Sequence, residues 1–210
     1  MLHLGLCHSA DIYAMRAPNV AQSIATIFEL AAQAIAIDPR NFRVHQVLCM
    51  AHFWEGDYDR AVASGRKAVE LNPSSADAFE ALAAAYNHYG SPEEAERCAQ
   101  MCFDLSPLDP NLSRYHFQLM QAKLGQRLFG DAYAQLEICL RARPHDVSYL
   151  GFKTVFLGHM ESKGEAAACL SEYLLKRDIK TADDYREIFL CNSALVELNL
   201  EGLRKAGWDA

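Results

Sequence analysis

The sequence lacks the features that mark membrane-spanning, secreted and nucleic-acid-binding proteins. No stretch approaches the ~18 or more consecutive apolar residues of a membrane-spanning helix. Residues 1–7 are largely apolar, but no Lys or Arg precedes them, so a signal peptide is not expected. Basic residues are outnumbered, with 20 Lys and Arg against 27 Asp and Glu and a net charge of −7. This balance argues against direct binding to nucleic-acid phosphates or to an anionic membrane.

Glycine and proline are also scarce. Together they supply 18 residues, whereas alanine supplies 32 of the 210. Because alanine is the best helix former, this composition favours an all-α chain. The hydrophobic fraction of 51% and the charged fraction of 22% exclude an intrinsically disordered tail.

The seven cysteines do not form a disulfide pattern. They are odd in number and irregularly spaced, at positions 7, 49, 98, 102, 139, 169 and 191. A secreted disulfide scaffold is shorter and denser in cysteine, so these residues indicate reduced thiols. We therefore expect a cytoplasmic protein.

The prolines recur at a fixed interval. Pro39, Pro73 and Pro107 follow one another at 34 residues, and Pro110 to Pro144 is again 34. An insertion of three residues at 108–110 explains the single break in the count. Thirty-four residues is a period at which helix–turn–helix units repeat.

Within this period the sequence resembles the tetratricopeptide repeat. In residues 42–75 the repeat's leucine, small residue, turn glycine, two second-helix alanines and final proline fall on Leu48, Cys49, Gly56, Ala61, Ala68 and Pro73. Residues 76–112 match as well, with Cys102 in the place of the second alanine. The matches in 113–146 and 147–180 are weaker. The helix that ends in IAIDP, before residue 42, looks like the second half of a further repeat.

The resemblance implies an α-α superhelix of about five hairpins and a C-terminal capping helix. The expected units are 1–41, 42–75, 76–112, 113–146 and 147–180, with the capping helix in 181–210, all in one continuous solenoid. A hairpin cannot bury its apolar face alone, so neighbouring units stack and share a core. Ser91, Pro92 and Glu94 have the pattern of a helix start, and Gly207 that of a helix end.

One group of side chains has the composition of a metal site. His45, Cys49 and His52 lie at i, i+4 and i+7 of one helix, and all three are zinc-ligand types. The same positions face neighbouring helices in the repeat, and the local sequence offers no fourth ligand. Packing is therefore the favoured interpretation, and a metal sensor is a lesser alternative. We expect no metal and no cofactor.

Catalytic motifs are missing from the sequence. It contains no GxxxxGK[ST], GxGxxG, HExxH or GxSxG pattern. No nucleophile, base and orienting group occur in a credible combination. Cys102 and Cys139 occupy an alanine position of the repeat, where a free cysteine acts as a small apolar side chain. The sequence does not predict an enzyme.

The resemblance implies a partner-binding concave surface, because the first helices of tetratricopeptide repeats line a groove that binds peptides or proteins. By position, this groove would be lined by Arg43, Gln46, Met50, Phe53, Trp54, Asp77, Glu80, Asn87, His88, Arg114, Phe117 and Gln121. Phe53 and Trp54 are adjacent and cannot both face the same neighbour, which leaves open an exposed interface anchor, but the favoured interpretation is that one ring packs within the hairpin and the other covers the next unit. The cationic clamp that some members use for the acidic tail of a chaperone is not reproduced. Its positions carry Gln46, Met50 and Glu80.

Two functions follow from this resemblance. The first is a non-catalytic scaffold that binds a peptide, a protein or a second copy of itself. The second is a regulatory module, because the IAIDP helix, the SPLDP insertion and the ending EGLRKAGW loosely resemble the repeat tails of bacterial cyclases and winged-helix regulators. The sequence also lacks a polar N-terminal capping unit. For the scaffold this favours self-association, and for the regulatory module it favours a longer parent chain.

Overall fold

The computed structural model describes residues 2–13, 18–188 and 194–209, which form twelve α-helices and no strand. The helices are α1 (Leu2–Tyr13), α2 (Val20–Ile37), α3 (Phe42–Glu55), α4 (Tyr58–Leu71), α5 (Ala76–Tyr89), α6 (Pro92–Leu105), α7 (Ser113–Gly125), α8 (Phe129–Ala142), α9 (Val147–His159), α10 (Lys163–Arg177), α11 (Ala182–Ile188) and α12 (Ala194–Lys205).

The first ten helices pack as five consecutive hairpins. Within each pair the two helices are antiparallel neighbours, and each second helix also packs on the first helix of the next pair. The first helices α1, α3, α5 and α7 contact one another in sequence, so they form the inner layer of the stack. This arrangement confirms the predicted all-α superhelix of about five hairpins.

Turns between helices follow local capping rules. The side chains of Asn41 and Ser75 accept hydrogen bonds from the first-turn amides of α3 and α5. Gly56 and Gly90 end those two helices in the left-handed conformation, at φ 82° and 90°. Ser91 precedes α6 as expected, but its hydroxyl makes no capping hydrogen bond, and the first turn instead contains Pro92 and the acidic residues Glu93 and Glu94.

Small residues lie where helices cross. Cys49, Cys102 and Cys139 are fully buried, which confirms that these cysteines serve as packing residues. A Cβ on Gly65 would lie 3.1 Å from the sulfur of Cys49, so α3 and α4 approach closely at this point. Burial raises the pKa of the Cys49 thiol to about 12. Such a thiol stays protonated and is a poor nucleophile.

Helix α2 is strongly apolar on average, although polar residues interrupt its run of apolar residues. It alone among the described helices is long and apolar enough to cross a membrane, with a mean hydropathy of 1.5 over 18 residues. Its buried residues are Ser23, Ile27, Ala31 and Ala34, of which the last three belong to the apolar core of the N-terminal hairpins. Core helices of soluble proteins and signal sequences share this length and composition.

After α10 the chain turns back onto the stack. Helix α12 packs along α9 and also contacts α7 and α5, all of which are first helices. It therefore lies against the inner layer as well as at the end of the solenoid. Gly207 follows α12 at φ 106°, as a C-terminal cap requires. The cysteine at position 191 lies outside the described residues.

Candidate functional site

Four charged side chains meet where α5 and α7 begin. The guanidinium of Arg114 on α7 lies 2.6 Å from Asp77 and 3.4 Å from Glu80, both on α5. The third carboxylate, Asp109 in the preceding loop, lies 3.0 Å from the same guanidinium. Asp77, Glu80 and Arg114 were predicted by repeat position to share one surface, and the structure brings them into contact. We call Asp77, Glu80, Asp109 and Arg114 the inner cluster.

The inner cluster is partly open to solvent. The exposed fraction of the side chain is 40% for Asp77, 27% for Arg114, 23% for Glu80 and 16% for Asp109. Burial raises the pKa of Glu80, and the nearby charges of Asp77 and Asp109 act in the same direction, against Arg114 and Gln118. Glu80 therefore lies in an environment where a further positive charge would be favourable.

Buried amides flank the inner cluster. Gln46 on α3 donates from Nε2 to the backbone carbonyl of Asp77 at 3.3 Å. Gln118 on α7 donates to Glu80 at 3.4 Å, and Asn87 in turn donates to the Gln118 backbone at 3.1 Å. Within the described ranges, Gln46 Oε1 and Asn87 Oδ1 are buried and receive no hydrogen bond. The inner layer therefore contains two amide oxygens without a hydrogen-bond donor and, in the inner cluster, three carboxylates paired with one guanidinium.

Phe53 and Trp54 are both half-buried. Phe53 meets the ring of Trp54 edge-on at 4.9 Å and that of His88, in the next hairpin, at 4.9 Å. The indole N–H of Trp54 donates to the hydroxyl of Ser9 in the preceding hairpin at 2.9 Å. Packing was the favoured interpretation for this pair, and each ring does contact a neighbouring hairpin, although the hydrogen bond of Trp54 is to the preceding hairpin rather than to the next one.

The other predicted groove residues divide by burial. Arg43 is exposed and lies 5.5 Å from the ring of Phe42, while Met50 is half-buried. Five predicted residues are buried, so the structure does not present them on an open surface: Gln46, Asn87, His88, Phe117 and Gln121. Phe117 packs between α9 aromatics, with ring distances of 5.9 Å to Tyr149 and 5.6 Å to Phe152.

Helix α12 covers part of the inner layer. Its Leu198 carbonyl oxygen lies 2.9 Å from Nε2 of His159, at the end of α9. Its Glu201 pairs at 3.0 Å with Arg127, which follows α7. A Cβ on Gly202 would lie 2.6 Å from the backbone oxygen of Val155. These contacts lie near the C-terminal ends of α7 and α9, whereas the inner cluster lies near the N-terminal ends of α5 and α7.

The zinc-like triad of the sequence does not converge. His45 Nε2 lies 3.0 Å from the Pro39 carbonyl oxygen, and Cys49 donates its S–H to the Ala81 carbonyl oxygen at 3.4 Å. The ligand atoms of His52, Glu55 and Asp57 do lie within 4.8 Å of one another. There, His52 Nδ1 lies 3.5 Å from Glu55 Oε2, three residues further along α3.

Solved structures with a similar fold are tetratricopeptide-repeat proteins. PilW, a type IV pilus biogenesis factor, matches with a TM-score of 0.65 at 18% identity over 97% of this chain and 88% of its own. A thermophilic tetratricopeptide protein of Thermus thermophilus matches with a TM-score of 0.64 at 16% identity over 90% and 97%. YrrB, described as having an unusual peptide-binding site, matches with a TM-score of 0.55 at 16% identity over 84% and 90%. No protein-family model matches the chain. The chain has the tetratricopeptide-repeat fold.

Proposed function

We propose that this protein is a non-catalytic scaffold that binds a peptide or protein segment on its inner layer. The observation that carries the proposal is the inner cluster, whose charged side chains remain open to solvent between α5 and α7. Charged groups that are fixed by neighbours and still partly exposed are suited to orient a polar ligand. Helix α12 covers the opposite ends of the first helices and leaves this region accessible.

The fold supports this proposal. Repeat solenoids present extended concave surfaces on which partners bind. YrrB, one of the structural neighbours, is itself described as carrying a peptide-binding site. A binding role also suits the buried thiols, because burial raises the pKa of Cys49 and of Cys98 to about 12 and so removes two candidate nucleophiles.

A peptide array tests the proposal. The purified full chain is applied to immobilised short peptides of varied charge and apolar content. We expect a defined class of peptides to bind, and we expect the charge reversal Asp77→Lys to weaken that binding. The matched control is Asp104→Lys on the outer helix α6, where the side chain is exposed and forms no ion pair with Arg114.

Two results would contradict the proposal. The first is a folded wild-type chain that binds no peptide of any class above background. The second is binding that Asp77→Lys and Asp104→Lys leave equally unchanged, since the bound surface would then lie elsewhere. Light scattering on the same samples reports whether a second copy of the chain is the partner.

A further inference from the structure

We propose that His159 makes the docking of α12 on the inner layer sensitive to pH, so that α12 opens more often in mildly acidic solution while the repeats stay folded. The inference concerns the contact between the end of α9 and α12, which lies outside the inner cluster. The contact itself does not depend on the proposed function. Only its consequence for binding does.

His159 is enclosed on two sides by other helices. Its side chain has no exposed surface. One face of the imidazole stacks on Phe129 of α8, with ring centroids 4.0 Å apart and planes 5° from parallel. The ring edge lies against α12, where a Cβ on Gly202 would come within 2.9 Å of His159 Cδ2. Helix α12 is therefore one wall of the enclosure, and its departure opens the ring to water.

The hydrogen bonds of His159 determine which ring nitrogen can take up a proton. Nε2 lies 2.9 Å from the carbonyl oxygen of Leu198 on α12. A carbonyl oxygen only accepts, so Nε2 carries the proton of the neutral ring. Nδ1 is then the bare nitrogen, and it lies 3.5 Å from Nζ of Lys205. Protonation would place a second N–H against that ammonium group, in a site closed to water.

Three charged side chains act on this nitrogen: Glu201 and Lys205 on α12, and Arg127 after α7. Glu201 Oε1 lies 4.0 Å from Nδ1, but the same carboxylate already pairs with Lys205 at 2.8 Å and with Arg127 at 3.0 Å. Burial lowers the pKa of His159, and the two cations act in the same direction, against the Leu198 hydrogen bond and the charge of Glu201.

The docked and open states of α12 therefore differ in their affinity for a proton. In the open state the ring is hydrated and has its ordinary pKa of about 6.5. Because the open state binds the proton more tightly, docking is strongest above this pH and weakens as the pH falls below it. One proton changes the docking equilibrium by about tenfold per pH unit at most. The buried side chains of Leu195, Leu200 and Leu203 oppose opening at every pH, so acid changes how often α12 opens.

Opening of α12 changes the surface that the inner layer presents. Helix α12 packs on α9 and also contacts α7 and α5. Its departure uncovers the backbone of α9 at Val155 and Gly158, which Gly202 covers in the docked state. The partner-binding surface would then extend towards the C-terminal end of the solenoid in mild acid, a consequence that rests on the proposed function.

Hydrogen exchange of the full chain, followed by mass spectrometry at pH 7 and pH 5, tests the inference. Protection factors are compared, because they divide out the intrinsic pH dependence of amide exchange. We expect protection in α12 to fall by about fivefold at pH 5. His159→Gln keeps a side-chain N–H for the Leu198 carbonyl but does not titrate, so the fall should disappear. His88→Phe is the matched control at another buried histidine and should leave the fall in α12 as it is.

A second variant keeps the test valid if His159→Gln does not fold. Lys205→Gln changes a side chain that is 46% exposed and removes the ammonium opposite Nδ1. Its α12 should respond to acid less than that of the wild type, because the docked ring then accepts a proton more readily. Unchanged protection in the wild type, an equal fall in His159→Gln, or a fall abolished by His88→Phe would each overturn the inference. None of these results bears on the peptide array, so either proposal can fail alone.

Discussion

Gly158 on α9 and Gly202 on α12 meet backbone to backbone. A Cβ atom on Gly158 would overlap the carbonyl oxygen of Gly202 and would lie 3.0 Å from the Ala206 amide nitrogen. Both glycines are buried. Because no side chain separates the two helices at this point, α12 can lie flat against the inner layer, and its leucines enter the C-terminal core.

Substitution Gly158→Ala should destabilise the protein through this contact. The added methyl meets backbone atoms that cannot rotate away, so α12 must shift, at a cost of about 2 kcal/mol or more. Gly164→Ala on α10 is the matched control, because a Cβ there meets nothing within 4 Å. Alanine in that helical position should be neutral or stabilising by about 0.5–1 kcal/mol. Urea unfolding of both variants measures the difference, and equal midpoints would contradict the prediction.

His88 should make stability depend on pH in the mildly acidic range. Burial lowers the pKa of His88 to about 4, against about 6.5 in an unfolded chain. The unfolded state therefore binds the proton first, and folding stability is complete above pH 6.5 and falls as the pH drops towards 4. The expected loss from this residue is about 2 kcal/mol between pH 7 and 5.

The variant His88→Phe isolates this contribution. Phenylalanine keeps a ring against Phe53 and Tyr58, whose centroids lie 4.9 and 5.7 Å away, but it cannot titrate. The variant should lose less stability between pH 7 and 5 than the wild type. His159, whose pKa is also lowered by burial, is present in both proteins and cancels in the comparison. His145→Phe, in an exposed loop, is the control for the replacement of a histidine by phenylalanine.

Much of the fold could be predicted from the sequence because the repeat is a local pattern. The 34-residue spacing and the turn glycines Gly56 and Gly90 place hairpins without any knowledge of long-range contacts. The packing role of the cysteines in alanine positions could also be predicted, since small apolar residues are required wherever helices cross. The same register also predicted that Asp77, Glu80 and Arg114 share one surface.

The remaining features depend on contacts that the register does not encode. Asp109 belongs to the insertion, so no repeat position predicted that its carboxylate lies 3.0 Å from the Arg114 guanidinium. In the sequence, Leu195, Leu198 and Leu203 have the spacing of an apolar helix face, but amphipathicity does not specify the surface that this face covers. Gly158 and Gly202 are isolated helical glycines whose significance appears only once the two helices are packed.

Arg114 should stabilise the fold by balancing the inner cluster. Arg114→Met keeps much of the side-chain volume and leaves the three carboxylates to repel one another. Because the groups are only partly exposed, we expect a loss of about 2 kcal/mol, between the values for surface and buried pairs. Adding Glu80→Gln to this variant should restore part of the stability, although Glu80→Gln in the wild type should not stabilise. Urea unfolding of the four proteins measures the coupling, and additive effects would contradict the arrangement.

Trp54 should hold the N-terminal hairpin to the rest of the stack. Its indole N–H donates to the buried Ser9 hydroxyl, which links α3 directly to α1. Trp54→Phe removes the donor and keeps an aromatic ring, so we expect a loss of about 1 kcal/mol from the hydrogen bond and a further loss from packing. A double-mutant cycle with Ser9→Ala separates the two, because the hydrogen bond alone contributes to the coupling energy.

Hydrogen exchange should show the largest loss of protection in α1 and α2, because terminal elements with few neighbours open before the core of a solenoid. Uniform loss of protection along the chain, or a coupling energy near zero, would mean that α1 is held by apolar packing against residues such as Val47 and that the hydrogen bond is incidental.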